Sequence, residues 1–264
     1  KLENGENWFL HFQDRGAYGR VVHLNPVQWI DDWPLMGVDL DGNDIGEPVT
    51  ECKKPDVGKN YPVEVPQTSD EFNSQELGLQ WQWHANPKKD WMSLTARSGW
   101  MRLFSVPIPD NEVNLWLVPN LILQKFPAPE FTVTARLDFS KLGESQISGL
   151  LIMGQSYSYL AVEKKLDDYH LIKMFCGDAN SGGRKTEEAN VDCKSDSLLL
   201  RVKISKGAIC SFSYSSDGEE FTPIGELFTA QPGKWIGAKV GLFCLATGAG
   251  QKTGYADYDS FIFE

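Results

Sequence analysis

A chain of 264 residues with a formal net charge of −11 lacks the basic surface that nucleic acid and anionic membranes attract, which argues against both as partners. No run of about 18 apolar residues occurs, so no membrane-spanning helix is expected. The 9 Trp, 8 Tyr and 14 Phe have two readings, as filling for a β-sandwich core and as rings that stack on sugar faces.

The first stretch, Trp8–Pro34 (WFLHFQDRGAYGRVVHLNPVQWIDDWP), opens in mid-strand with no signal-peptide pattern before it. It is expected to be the closing piece of a domain whose earlier strands lie elsewhere. Strands near Trp8–Phe12 and Val21–Trp29 flank a glycine-bearing turn at Arg15–Gly19, and Met36–Pro48 suggests a short hairpin turning at Asp41-Gly42. Asp31 and Asp32 suit a turn. Lys53–Asp70 holds three prolines and little periodicity, the pattern of a semi-rigid connector. A boundary there gives a first unit at 1–52, a linker at 53–69 and a second unit at 70–264.

From Asp70 onward short apolar or alternating blocks recur between Gly, Pro, Asn and Asp clusters, and almost nothing has helical periodicity. Ser93–Ser105 suggests a hairpin turning at Ser98-Gly99. Strands are expected at Leu121–Phe126, Phe131–Phe139, Gly149–Glu163, Tyr169–Cys176, Ser197–Ser205, Ala208–Ser215, Ala238–Leu245 and Ala256–Phe263. Many strands at short spacing predict a two-sheet antiparallel sandwich. Of the five cysteines, none has CxxC or zinc spacing. Cys176, Cys210 and Cys244 lie in apolar runs and suit a core. Cys176 and Cys193 bracket a polar segment and are read either as free or as paired.

The segments HFQDRGAYGR, VVHLNPVQW and DDWPLMG resemble the last blade of the five-bladed β-propeller in family 43 glycoside hydrolases, the β-xylosidases and α-L-arabinofuranosidases. DEFNSQELGLQWQWHANP, DWMSLTARSGWMRL, FTVTARLDF, QPGKWIGAKVGLFC and GYADYDSFIFE resemble the concanavalin-like C-terminal domain of those enzymes. The resemblance implies an all-β fold: a concanavalin-like antiparallel β-sandwich (jelly roll) preceded by the terminal strands of a propeller. It also implies inverting hydrolysis of xylose- or arabinose-containing plant cell-wall oligosaccharides, without a catalytic cofactor. Inversion needs an acid and a base carboxyl roughly 6.5–9.5 Å apart with water between them. In the family these carboxylates come from earlier blades, and none of their motifs is present, so no catalytic residue is assigned to this chain. The implied partner is a missing N-terminal propeller portion, in the same gene or on a second chain, and this chain by itself is not expected to hydrolyse glycans. A periplasmic or extracellular location follows from the polymeric substrate class. A stand-alone carbohydrate-binding module and a purely structural scaffold are the competing readings.

Arg20 stands where the family's β-xylosidases carry an arginine that reaches the sugar, and a guanidinium can donate paired hydrogen bonds to vicinal hydroxyls. An ion-paired surface arginine is the alternative. His11 and Gln13 alternate onto one face of their strand and are candidates for the same pocket. The loop Gln80–Pro87 offers Trp81, Trp83 and His84 as stacking and hydrogen-bonding groups, or as interdomain and core filler. Asp70 and Glu71 before the first sandwich strand, with Asp257 and Asp259 on the last, are candidates for a structural Ca²⁺, which takes several hard oxygen ligands.

Overall fold

The computed structural model describes residues 1–109, 112–247 and 254–264. They form two compact units, one of Lys1–Arg15 with Arg20–Val65 and one of Gly16–Gly19 with Pro66–Glu264.

The smaller unit is an antiparallel sheet of β1 (Asn7–Asp14), β2 (Arg20–Ile30) and β3 (Trp33–Met36). Its register sets His11 against His23, Phe12 against Val22 and Asp14 against Arg20. Asp31 and Asp32 form the β2–β3 turn with φ of 48° and 63°. Two left-handed residues are what a tight hairpin needs to match strand twist, and short polar side chains tolerate that backbone. Beyond β3, Val38 bridges Glu47 around a turn held by Asp39, whose Oδ1 accepts from the Gly42 N–H at 2.7 Å. Residues 51–69 form no helix or strand.

Among the described residues, the larger unit carries sixteen strands: β4 (Gln82–Trp83), β5 (Met92–Ser93), β6 (Met101–Phe104), β7 (Val106–Pro107), β8 (Leu121–Lys125), β9 (Phe131–Asp138), β10 (Gln146–Met153), β11 (Tyr157–Lys165), β12 (Asp168–Cys176), β13 (Lys185–Cys193), β14 (Ser197–Ser205), β15 (Ile209–Ser215), β16 (Thr222–Pro223), β17 (Phe228–Thr229), β18 (Lys239–Ala246) and β19 (Tyr255–Phe263). One sheet runs β13-β12-β11-β10-β18-β8-β4, with β7 beside β18. The other runs β16-β15-β14-β9-β19-β6-β5, with β17 beside β15. In β9 and β14 every second residue is buried, the mark of strands with one face on a core. Val133, Leu137, Leu150, Leu200, Leu242 and Phe261 fill the space between the sheets. Each such side chain contributes about 1.5–3 kcal/mol on burial.

β10 is buried along its whole length, and β18 is buried from Val240 on. Their second face carries a further apolar layer in which Leu115 and Val118 join Tyr159, Phe243 and Leu245. The sandwich therefore buries an apolar layer on each face of this sheet.

Three expectations are corrected. Gly149–Glu163 is two strands, because Gly154 starts a turn where a Cβ would lie 2.0 Å from the Gln231 carbonyl oxygen. Lys185–Cys193, expected to be part of a polar loop, is a strand on the sheet edge, where few apolar residues are needed. Cys176 and Cys193 do not pair. They lie opposite Lys185 and Tyr169, at the two ends of the β12–β13 hairpin, about 24 Å apart along the strand, whereas a disulfide needs Cα atoms within about 7 Å.

Candidate functional site

In the β1–β2 pair, residues directly opposite share a face. One face carries Leu10, Phe12, Val22 and Leu24 together with Asp14 and Arg20, and the other carries Phe9, His11, Gln13, His23 and Asn25. The structure thus separates Arg20 from His11 and Gln13. The Arg20 guanidinium lies over the Phe12 ring at 4.8 Å and its Nε is 4.0 Å from an Asp14 carboxylate oxygen. The guanidinium is thus braced on a ring and beside a carboxylate.

His11 serves its own sheet. Its ring stacks between Phe9 and His23, with centroids at 5.1 and 5.4 Å, and its Nε2 lies 2.9 Å from Asn25 Nδ2. Asn25 Oδ1 accepts from the Val49 N–H at 2.8 Å, which fixes the amide so that Nδ2 faces the histidine. His11 Nε2 is then the acceptor and the ring proton sits on Nδ1. Gln13 accepts through Oε1 from Arg15 at 3.4 Å.

In the sandwich unit, Trp81 is corrected from a candidate sugar contact to a core residue. It is only 8% exposed, packs on Phe72 and Phe261, and donates its indole N–H to Asp70 Oδ2 at 2.9 Å. Trp83 is half-buried, edge-on to Trp91. His84 donates from Nε2 to the Trp116 carbonyl at 2.8 Å. Burial pushes its imidazole below the usual histidine range, Lys239 adds to that shift, and the Trp116 carbonyl opposes it.

The proposed calcium ligands are not brought together. Asp70 bridges Phe261 on β19, four residues from Asp257, or about 10–13 Å along the strand, against metal–oxygen distances of about 2.3–2.6 Å. Asp257 is already engaged: Arg102 clasps it with Nε at 2.8 Å and Nη2 at 2.9 Å, and Arg97 reaches it at 3.2 Å. Asp257 faces Arg102 on β6 and Asp138 on β9. Arg97 bonds Asp138 at 2.7 Å, so it bridges the two carboxylates. Burial raises the Asp138 carboxyl, but Arg97 and Ser140 overcome this and leave it below the usual range. Asp259 sits 3.8 Å from Arg136. Glu71 is exposed and lies 3.5 Å from Asn73 Nδ2. Among the described residues, no three His, Cys, Asp or Glu side chains are grouped as a metal site.

Sequence reasoning missed a second polar cluster. Lys173 belongs to the inward-facing row of β12 that includes Leu171 and Phe175, and its side chain is fully buried. Its Nζ bonds Ser158 Oγ at 2.6 Å and Glu188 Oε2 at 2.7 Å. Burial lowers the ammonium pKa, and Glu188 opposes that shift. The only signal in the sequence is a lysine inside the apolar run LIKMF. Glu188 lines an open cavity of about 610 Å³ with Gln155, Phe175, Asn180 and Thr229.

Residues 69–264 match the family described as the β-xylosidase C-terminal concanavalin A-like domain. A β-xylosidase of Formosa agariphila is 33% identical over 97% of this chain and 45% of its own length. A putative β-xylosidase of Xylanibacter ruminicola is 36% identical over 92% of this chain and 43% of its own length. The chain thus spans somewhat less than half of these curated relatives. A solved structure of a bifunctional GH43-CE protein of Bacteroides eggerthii superposes with a TM-score of 0.82 at 27% identity, covering 99% of this chain and 33% of that one.

Proposed function

From the premise that this chain belongs to the C-terminal concanavalin A-like domain family of glycoside hydrolase family 43 β-xylosidases, we propose that it is the portion of an inverting glycosidase that completes and braces the sugar pocket. The family match over the sandwich carries this reading. In it, β1–β3 are the terminal strands of a propeller whose remaining strands cover the apolar row of Leu10, Phe12, Val22 and Leu24, side chains that are exposed in this chain and gain little from folding until they are covered. Arg20, on that same face, binds vicinal hydroxyls of a xylose or arabinose unit, while His11 and Gln13 hold the sheet. The catalytic carboxylates are supplied by the rest of the protein. Among the described residues of the sandwich, Asp257 is held by Arg102, Glu163 by Lys165, and Glu188 through Oε2 by Lys173. Action on a polymeric glycan places the enzyme in the periplasm or outside the cell.

The test is an assay on aryl xylosides and aryl arabinofuranosides with this chain alone and with the preceding part of the protein restored. Activity is expected only in the longer protein, where Arg20→Ala lowers kcat/KM by about 10–100-fold, the loss of a charged hydrogen bond worth about 1.5–3 kcal/mol. Comparable turnover by the chain alone would overturn the proposal. The ratio of the two activities assigns the sugar.

A further inference from the structure

The cavity beside Glu188 has features that packing alone does not require. It opens where the β10–β11 turn at Gly154–Ser156, the turn at Ala179–Ser181 and the segment Leu227–Gln231 converge. Glu188 reaches it because the β12–β13 register slips there: Lys173 pairs with Ala189 and Met174 with Glu187, so Glu188 is the extra residue of a β-bulge. Bulges re-aim a side chain at the expense of local pairing.

Lys173 then fixes that side chain from behind, through Glu188 Oε2. Gly225, at φ +71°, makes room for the pair, since a Cβ there would lie 2.4 Å from Lys173 Cγ and 3.2 Å from Glu188 Oε2. A buried ion pair is weak evidence of stabilisation, because well-packed apolar residues of the same volume do as well or better. Three separate devices nevertheless hold this one carboxylate at a cavity wall. Among the described residues, its Oε1 accepts no hydrogen bond.

The rest of the lining defines the ligand. Gln155 and Asn180 present amides already oriented by their mutual bond at 3.1 Å. Phe175 and Phe228, with centroids 5.9 Å apart, present apolar ring surface. The ionisable groups on the lining are Asp178 and Glu188, and Lys173 is consumed by Glu188, so an anion is repelled. Amides and a fixed carboxylate beside aromatic carbon match the hydroxyls and C–H faces of a neutral sugar, and the volume falls in the range of about 300–1,000 Å³ typical of small-ligand sites.

We propose that this cavity of the sandwich is a binding site for a neutral sugar, one or two residues of an uncharged oligosaccharide, with Glu188 Oε1 and the Gln155–Asn180 amides reading its hydroxyls. The choice of pentose oligosaccharides as probes rests on the function proposed above.

The test is calorimetric and NMR titration of this chain with xylotriose, arabinotriose, trigalacturonate and CaCl2. Binding of one neutral trisaccharide in the millimolar range is expected, with shifts at the Asn180 and Gln155 amides and none from trigalacturonate. Asn180→Ala is expected to raise Kd about tenfold, the loss of one hydrogen bond, and Thr229→Trp, at an exposed edge position, to abolish binding by filling the cavity. Both variants should keep the thermal midpoint of the parent, so a change in Kd reports the site. No response to either neutral sugar, a response to calcium or trigalacturonate alone, or binding untouched by Thr229→Trp overturns the proposal. Aryl-xyloside hydrolysis by the longer protein carrying Thr229→Trp separates the two readings. Intact hydrolysis without cavity binding in the parent defeats this inference alone, whereas cavity binding without hydrolysis by the parent defeats the enzymatic reading.

Discussion

His84 shows how one side chain can be assigned from its surroundings. The imidazole donates to the Trp116 carbonyl and is pushed below its usual pKa first by burial, then by Lys239. The unfolded chain therefore takes up this proton at a higher pH than the folded one. Stability from this residue is present above the unfolded pKa of about 6.5 and is lost as pH falls below it. Chemical denaturation at pH 7.5 and pH 5 should show a steeper loss for the parent than for His84→Gln, which keeps an N–H donor and removes the titration. Equal slopes would show that His84 does not sense pH in this way. The sequence showed that His84 and Trp81 share a loop with aromatic neighbours, but not which of them point inward. Burial of Trp81 depends on Phe72 and Phe261, the latter 180 residues further along the chain, and no local pattern encodes that contact. Asp257 was legible as an acidic group on the last strand. That Arg102 would be its partner followed only from the β6–β19 register, and Arg97 reaches it from the turn before β6.

Strands with one face on the core were legible because alternation survives in them. β9, β14, β15 and β19 lie within a residue or two of their expected limits. β13 was not, because KTEEANVDC sits at a sheet edge and needs little apolar surface. The β10–β11 turn was hidden by apolar sequence on both sides and is set by contact. Gly154 lies so close to the Gln231 carbonyl that a Cβ would approach it to 2.0 Å. Its backbone is not in the left-handed region, so the penalty for a side chain is steric. Gly154→Ala is expected to cost about 1–3 kcal/mol, as overpacking typically does, read as a lower urea midpoint at unchanged m-value. A cost of only a few tenths would mean that the turn relaxes freely. The bulge at Glu188 was equally hidden, since nothing in the composition of either strand requires the slip. Thus the scaffold was readable in outline, whereas the cavity depends on a bulge, a turn and a glycine whose reasons are tertiary.

The two units differ in how far each satisfies itself. The sandwich buries Leu150, Leu151, Leu242 and Phe243 completely, with layers on both sides of β10 and β18. The β1–β3 sheet leaves Leu10 at 67%, Phe12 at 55% and Trp33 at 74% exposure. At about 25 cal/mol per Å² of apolar surface, a sheet that leaves such side chains in water gains little from folding by itself. Its backbone hydrogen bonds should therefore open by local fluctuation, at a free energy below that of global unfolding. Amide hydrogen exchange on this chain is expected to be fast in β1–β3 and slow in β10, β11 and β18, where opening requires unfolding the whole sandwich. On the function proposed above, the preceding part of the protein covers the row that includes Leu10, Phe12 and Val22, so restoring it should slow exchange in β1–β3 selectively. Equal protection of both units in this chain alone would show that the small sheet is complete as it stands, and would remove the reason for assigning it to a larger propeller.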